Sequence, residues 1–247
     1  MAIVRSRNIF DPKSESTFKL SRSKLELFLE CPRCFYIDRR LGIGRPSGPP
    51  FNLNIAVDTL LKKEFDIHRA ARTQHPLLEK YGVDARPVAH EDLDMWRENF
   101  QGVQYHHLPT NLVITGAIDD LWINSREEYI VVDYKTTSKA EVIDKLNDGW
   151  HNQYRRQMEI YQWLLRQNGY AVSPTGYFVY CNAGTDKKAF DARLEFDVRL
   201  IAYEGNDEWV EGVIYQAKDC LASDVVPGAA QDCEFCQYTE AREKVEQ

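Results

Sequence analysis

One stretch of the chain, residues 116–137, constrains the fold and the chemistry more than any other. Its pattern is typical of a β-hairpin that carries two acids and a lysine. Because side chains alternate between the two faces of a strand, Asp133 and Lys135 are expected on one side and Tyr134 on the other. An apolar strand does not readily hold such charges unless something pairs them. A divalent cation shared with Asp119 on the partner strand is one such partner.

The length and composition are those of an ordinary globular protein. The chain has 247 residues, 43% of them hydrophobic, which is enough for a sizeable core. We expect a single domain over residues 1–247, with a loosely ordered lead-in over residues 1–20. No stretch approaches the roughly 18 to 20 apolar residues of a membrane span, and the first residues lack the apolar core of a signal peptide. These features predict a cytoplasmic protein with no membrane partner.

The formal charge of −7 argues against sequence-independent binding of nucleic acid, because such binding depends on clustered Lys and Arg. It leaves room for a local basic groove.

Apolar periodicity predicts two helices that carry candidate site residues. The first covers about 54–71, and Asp58 lies on or beside its apolar stripe. The second covers about 152–168 and places Gln157 and Tyr161, four residues apart, on one side.

The remaining pattern adds strands at 175–181 and 189–201 and a last helix at about 207–222. Helices and hairpins in this order predict an α/β (α+β) fold, with a mixed central β-sheet flanked by helices.

Four of the six cysteines form two CxxC pairs near opposite ends of the chain, Cys31 with Cys34 and Cys233 with Cys236. Without an export signal, this pattern indicates a metal site rather than a disulfide framework. Two such pairs suit tetrahedral Zn²⁺, which would join the segments 31–36 and 233–238 in a structural role.

The acids suit a different metal. Carboxylate oxygens are the ligands that Mg²⁺ or Mn²⁺ prefers, and such an ion can activate water and neutralise charge on a phosphodiester. Asp58, Asp119 and Asp133 are the candidate ligands. Lys135 would position or deprotonate the attacking water, or stabilise the phosphorane.

Three motifs follow one another along the chain: Gly116-x-x-Asp119, Asp133-x-Lys135 and Gln157-x-x-x-Tyr161. The ordered set resembles the motif series of the PD-(D/E)XK nuclease superfamily, in particular the branch with the RecB nuclease domain and the CRISPR-associated exonucleases. The resemblance implies a restriction-endonuclease-like core and a Mg²⁺- or Mn²⁺-dependent deoxyribonuclease. It further implies an exonuclease on DNA single strands or ends, in repair, recombination or defence.

The resemblance also implies roles for individual residues. Asp119 and Asp133 would hold the ions, while Gln157 and Tyr161 would orient Lys135 and the DNA backbone. The family's first motif is a metal-binding histidine on an early helix, and the matching position here holds Asp58. Glu64, or a histidine between residues 75 and 107, is the alternative.

The family often carries a [4Fe-4S] cluster held by one cysteine near the N-terminus and three near the C-terminus. Cys31, followed by a proline, and the pair Cys233 and Cys236 fit that pattern. The third C-terminal cysteine is absent, and Cys34 is its natural replacement. The resemblance therefore implies an iron-sulfur cluster at these four cysteines, with Zn²⁺ as the alternative.

Two other functions remain open from the sequence. The aspartate at the histidine position and the acidic charge are compatible with a non-catalytic DNA-binding or assembly module that keeps the fold. Paired acids also occur in hydrolases acting on sugars or peptides.

Overall fold

The computed structural model describes residues 3–146, 149 and 151–246, so the first two residues of the expected lead-in lie outside it. Within this part of the chain the strands are β1 (Ile3–Val4), β2 (Phe18–Ser21), β3 (Ile43–Gly44), β4 (Arg86–Pro87), β5 (Val103–His107), β6 (Leu112–Gly116), β7 (Asp120–Ile123), β8 (Tyr129–Thr137), β9 (Thr175–Ala183) and β10 (Phe196–Glu204).

The helices in the same part of the chain are α1 (Arg22–Glu30), α2 (Pro32–Arg39), α3 (Asn52–Ala71), α4 (Pro76–Lys80), α5 (Leu93–Trp96), α6 (Asn152–Gln167), α7 (Glu208–Ala222) and α8 (Glu234–Glu246). A short 3₁₀ turn, Leu108–Thr110, joins β5 to β6. No helix in the described ranges is long and apolar enough to cross a membrane.

The chain divides into two compact units, and the larger consists of Pro50–Val103 and Gly116–Asp207. Its five-stranded sheet has the order β10-β9-β8-β7-β4. Strands β8 and β9 are parallel, and the other neighbours are antiparallel. The expected mixed sheet flanked by helices is therefore confirmed.

Alternation along β8 sends its side chains to opposite faces of this sheet. Tyr134 belongs to the core that α3 covers, with its ring centroid 5.8 Å from that of Phe65. Asp133 and Lys135 instead contact Gln157 of α6. The period of two thus separates an apolar face from a charged one within one strand. The α3 core contains, among others, Leu61, Leu78, Trp122, Ile130, Val132, Val179, Cys181 and Leu200.

The smaller unit consists of residues up to Pro49, Gln104–Thr115 and Glu208 onwards. It holds the three-stranded sheet β2-β6-β5, the pair β1-β3, and helices α1, α2 and α7, which pack on one another. Cys31 separates α1 from α2 with an extended backbone, φ −162°, and Pro32 opens α2. Proline favours the first turn of a helix because its missing N–H has no partner there in any case.

Two expectations about local order need correction. The lead-in is more ordered than expected in its described part, because Ile3–Val4 pairs with β3 and the buried Phe10 packs on Phe18 at 5.3 Å between ring centroids. The strand expected over 189–201 begins only at Phe196, because Asp191 and Ala192 have φ of 47° and 56°, which a strand does not permit. The single-domain organisation stays a prediction.

Candidate active site and four-cysteine site

Strand β8 carries an ion pair between a buried acid and a half-buried lysine on the face that α6 covers. The apolar run Ile130–Val132 leads into Asp133, whose side chain is only 1% exposed, and Asp133 pairs with Lys135. On the parallel neighbour β9, Phe178 lies opposite Asp133 and Tyr180 opposite Lys135. The expected common orientation of the acid and the lysine is therefore confirmed.

Gln157 of α6 binds both members of this pair. Its Nε2 donates to Asp133 Oδ1 at 2.7 Å, and its Oε1 accepts from Lys135 Nζ at 3.2 Å. Nε2 also lies 3.0 Å from the hydroxyl oxygen of Tyr161, which confirms that Gln157 and Tyr161 project from one side of α6. A primary amide offers both a donor and an acceptor, so one side chain fixes an acid and an ammonium together.

The lysine also lies against an aromatic ring. Lys135 Nζ is 4.3 Å from the ring centroid of Tyr154, a distance at which the ring face attracts a cation. Burial raises the pKa of Tyr154, and the nearby Tyr180 and Asp133 raise it further. Tyr154 is therefore a neutral phenol at physiological pH.

Asp119 reaches the same region from outside the sheet. Contrary to expectation, it does not lie in a strand but in the connection between β6 and β7. Its Oδ2 accepts a hydrogen bond from the backbone N–H of Tyr134 at 2.8 Å, and its carbonyl accepts one from Arg97 Nε at 3.1 Å. The backbone between Asp133 and Lys135 thus holds the Asp119 carboxylate.

Lys62, which the sequence analysis did not single out, contacts both Asp58 and Asp119. Lys62 Nζ lies 2.9 Å from Asp58 Oδ2 and 3.4 Å from Asp119 Oδ1. Burial and the charge of Asp119 raise the pKa of Asp58 by more than Lys62 lowers it. The available signal was the spacing of Asp58 and Lys62, which places them one helical turn apart.

The alternatives to Asp58 have other partners. Glu64 accepts from His75 at 3.0 Å between oxygen and Nε2, and the His75 ring stacks on Phe65. His90 stacks on Trp96, with centroids 4.2 Å apart.

A second acid beside Asp119 was also missed. Asp120 is fully buried, and its carboxylate accepts from five donors. They are Arg69 Nη2, Arg97 Nη2, the backbone N–H of Leu121, Trp122 Nε1 and the Tyr134 hydroxyl. From the sequence alone, nothing indicates which of the adjacent residues Asp119 and Asp120 is buried.

The donor chemistry of the acid cluster fits Mg²⁺ or Mn²⁺. Three carboxylates supply the hard oxygen ligands that these ions select. Both oxygens of Asp119 and Oδ1 of Asp133 accept hydrogen bonds from protein donors, and Asp133 Oδ2 pairs with the Lys135 ammonium, but each carboxylate oxygen keeps a further lone pair for an ion. Across the described residues, the three acids do not form a group whose donor atoms all lie within 4.8 Å of one another, whereas the four cysteines do.

The cysteine site lies in the smaller unit and fits a metal closely. All four thiols are buried, and the sulfur separations are 3.8 Å for Cys31–Cys236 and 3.6 Å for both Cys34–Cys233 and Cys34–Cys236. Arg45 Nη2 lies 3.4 Å from the Cys233 sulfur, so a positive charge accompanies the sulfur group.

Comparison with known families gives a match over most of the chain. The model of the PD-(D/E)XK nuclease superfamily matches residues 53–241, which include the acids, Lys135, Gln157, Tyr161 and the second cysteine pair. A search of curated proteins gives no significant match. Members of this superfamily are generally nucleases that hydrolyse phosphodiester bonds with divalent metals. Together with the mixed sheet and the order of its motifs, the match over 53–241 shows that this chain belongs to the PD-(D/E)XK nuclease superfamily.

Proposed function

We propose that this protein is a Mg²⁺- or Mn²⁺-dependent deoxyribonuclease. The observation that carries the proposal is the hydrogen-bonded set in which Gln157 joins Asp133 to Lys135. Burying charged groups is costly unless they are paired. This set pairs a buried acid with a half-buried ammonium two residues away on the same face of β8, so that an ion held by the acid and the ammonium would act on the same phosphate.

In the proposed mechanism, Asp119 and Asp133 hold the divalent ion, with Asp58 as a further ligand. The ion supplies Lewis-acid stabilisation of the phosphate and a lowered pKa for the attacking water. Lys135 donates a hydrogen bond to the water or to a non-bridging phosphate oxygen. Gln157 fixes the positions of Lys135 and Asp133 by hydrogen bonds to both, and Tyr161 orients Gln157. Water adds to phosphorus and releases a proton to solvent, the bond from phosphorus to the leaving sugar oxygen breaks, and that oxygen takes up a proton from solvent.

The substrate we propose is DNA, cut as an exonuclease on single strands or at ends, in repair, recombination or defence. Support comes from the resemblance of the motif series to the RecB-like and CRISPR-associated exonuclease branch. Circular and linear DNA compared side by side provide the test. An exonuclease degrades end-labelled linear strands and leaves closed circles intact.

The catalytic assignment is tested with purified protein, Mn²⁺ or Mg²⁺, and labelled single- and double-stranded DNA. We expect Asp133→Asn and Lys135→Met to lower the rate by about 10²-fold or more, because each removes a group that acts on the reacting atoms. The matched controls are Asp94→Asn and Lys188→Met, which alter exposed residues. Unchanged cleavage in both site variants would refute the assignment.

A non-catalytic DNA-binding module is the second candidate. One observation favours it: protein donors already engage the oxygens of both Asp119 and Asp133. This candidate predicts DNA binding with no cleavage under any divalent ion, and a wild-type DNA affinity for Asp133→Asn.

For the cysteine site we propose a single tetrahedral ion, Zn²⁺. With metal–sulfur bonds of about 2.3 Å, neighbouring sulfurs of a tetrahedron are about 3.8 Å apart. The separations of 3.6 to 3.8 Å match that edge. The [4Fe-4S] cluster implied by the resemblance binds each cysteine to a different iron and therefore needs wider spacing.

Metal analysis of freshly purified protein distinguishes the two. Colourless protein with about one zinc per chain supports the single ion. Brown protein with iron and acid-labile sulfide would establish the cluster instead.

A further inference from the structure

We infer that Lys62 takes the place of one divalent ion at the acid cluster. Its ammonium lies between two carboxylates, 2.9 Å from Asp58 Oδ2 and 3.4 Å from Asp119 Oδ1. This is the position in which a cation shared by the two acids would lie. The role rests on the proposed function, because it concerns the metal content of the same site.

The environment of Lys62 supports a built-in cation. Its side chain is 22% exposed, compared with 31% for Asp58 and 24% for Asp119, so solvent screens the three charges only in part. A lysine side chain carries a positive charge at physiological pH, so an ammonium lies between the two carboxylates.

Electrostatics makes Lys62 and a divalent ion alternatives at this position. Two cations within a few ångströms of each other repel strongly where water is partly excluded. An ion that bridged Asp58 and Asp119 would have to displace the ammonium. With Lys62 in place, Asp119 and Asp133 would hold the ion, and Asp58 would hold Lys62 instead of serving as a further ligand of the ion.

Lys62 therefore distinguishes this site from a two-ion site. A lysine contributes a fixed positive charge at the phosphate without depending on the ion concentration, and it cannot activate a second water as a metal ion does. The expected consequence is a nuclease that needs one divalent ion per active site.

The test counts bound Mn²⁺ by the loss of the free-ion EPR signal, using the full chain as purified with its cysteine site loaded. Mn²⁺ favours oxygen ligands over thiolates, so the count reports the acids. We expect Lys62→Met to bind about one more Mn²⁺ per chain than the wild type, because the vacated position has the carboxylate ligands that this ion selects. The gain should be absent from Lys63→Met, which alters an exposed neighbour, and from the double variant Lys62→Met with Asp58→Asn.

Thermal unfolding provides a second readout. Without added Mn²⁺, and with the cysteine site loaded, Lys62→Met should unfold at a lower temperature than the wild type, because Asp58 and Asp119 lose the cation between them. Mn²⁺ should raise the Tm of Lys62→Met by more than it raises the Tm of the wild type. If Lys62→Met does not fold, Lys62→Gln replaces it, and Lys62→Arg serves as the charge-retaining control.

Equal Mn²⁺ numbers and affinities in the wild type and Lys62→Met would overturn the role of Lys62, even if the wild type cuts DNA. The expected gain in Mn²⁺ without DNA cleavage would instead refute the nuclease function and leave the role of Lys62 in place.

Discussion

The backbone N–H of Tyr134 donates a 2.8 Å hydrogen bond to Asp119 Oδ2. Tyr134 directs its ring into the α3 core, while its neighbours Asp133 and Lys135 face α6. An acid from a loop therefore binds the backbone between two residues of the candidate site. Since a backbone amide provides this bond, the position of Asp119 depends on the geometry of β8 rather than on the Tyr134 side chain.

Gln157→Glu tests whether the amide holds the acid and the lysine together. A carboxylate can still accept from Lys135, but it cannot donate to Asp133 unless it is protonated. Two facing acids raise the pKa of at least one of them. We expect the acidic limb of the pH–rate profile for DNA cleavage to move to higher pH.

The matched control for that variant is Gln153→Glu, one turn earlier on α6. It should leave the pH–rate profile in place. A Gln157→Glu profile that overlies the wild-type profile would contradict a role for the Gln157 amide.

Gly116→Ala tests how closely α6 approaches the first motif. A Cβ at Gly116 would lie 2.6 and 2.8 Å from two ring carbons of Tyr161 and 3.1 Å from Leu164 Cδ1. Such overlap forces the ring to move and typically costs about 1–3 kcal/mol. Because Tyr161 contacts Gln157, we expect DNA cleavage to fall along with stability.

Gly176→Ala separates the loss of stability from the loss of positioning. Its Cβ would lie 2.4 Å from Met158 Sδ, also on α6, but methionine is flexible and Met158 has no place in the proposed site. We expect a lower free energy of unfolding in urea with cleavage close to wild type. Equal losses of cleavage in both glycine variants would show that any disturbance of α6 has the same effect.

The sequence was sufficient where periodicity or a motif fixes the geometry. Alternation along β8 placed Asp133 and Lys135 on one face, and the helical repeat placed Gln157 beside Tyr161. Both depend only on neighbours in the chain, which local backbone geometry determines. The pairing of the distant cysteines followed from their CxxC spacing, which is typical of metal sites.

What the sequence did not reveal depends on contacts between distant segments. The contact of Lys62 with Asp119 joins residues that are 57 positions apart, and no local pattern predicts it. Asp120 and Arg97 are far apart in the chain, and their ion pair follows no local pattern. Alternating apolar residues over 189–201 predicted a strand. The positive φ at Asp191 instead places a turn there, and the strand begins at Phe196.

Asp120→Asn tests the buried network behind the candidate site. Asparagine keeps the shape of the side chain but removes the negative charge that pairs with Arg69 and Arg97. Both guanidinium groups then lose their buried counter-charge. Breaking a buried ion pair in this way costs about 3–5 kcal/mol of the free energy of unfolding.

The control is Asp66→Asn, because Asp66 contacts the same arginines but its side chain is 44% exposed. It should cost about 1 kcal/mol or less in urea unfolding. Similar losses for both variants would contradict the importance of burial.

Asp38 predicts a pH dependence of stability in the smaller unit. Its side chain is 1% exposed and pairs with Arg5, Lys24 and Arg39. Burial alone would raise the pKa of Asp38, but hydrogen bonds from these three residues hold it at about 2, below its ordinary value of 3.8. A lowered pKa in the folded state stabilises the protein above the unfolded-state value, and this stabilisation is lost as the pH falls through about 2. The loss amounts to about 2 kcal/mol.

Urea unfolding of the wild type and Asp38→Asn from pH 6 down to pH 2 measures this contribution. The difference between the two in free energy of unfolding should be constant above about pH 5 and shrink by about 2 kcal/mol as the pH falls to 2. Asp224→Asn is the control, because Asp224 also pairs with an arginine, Arg40, but its side chain is 92% exposed. A difference between the wild type and Asp38→Asn that stays constant down to pH 2 would mean that the three cations do not lower the pKa of Asp38.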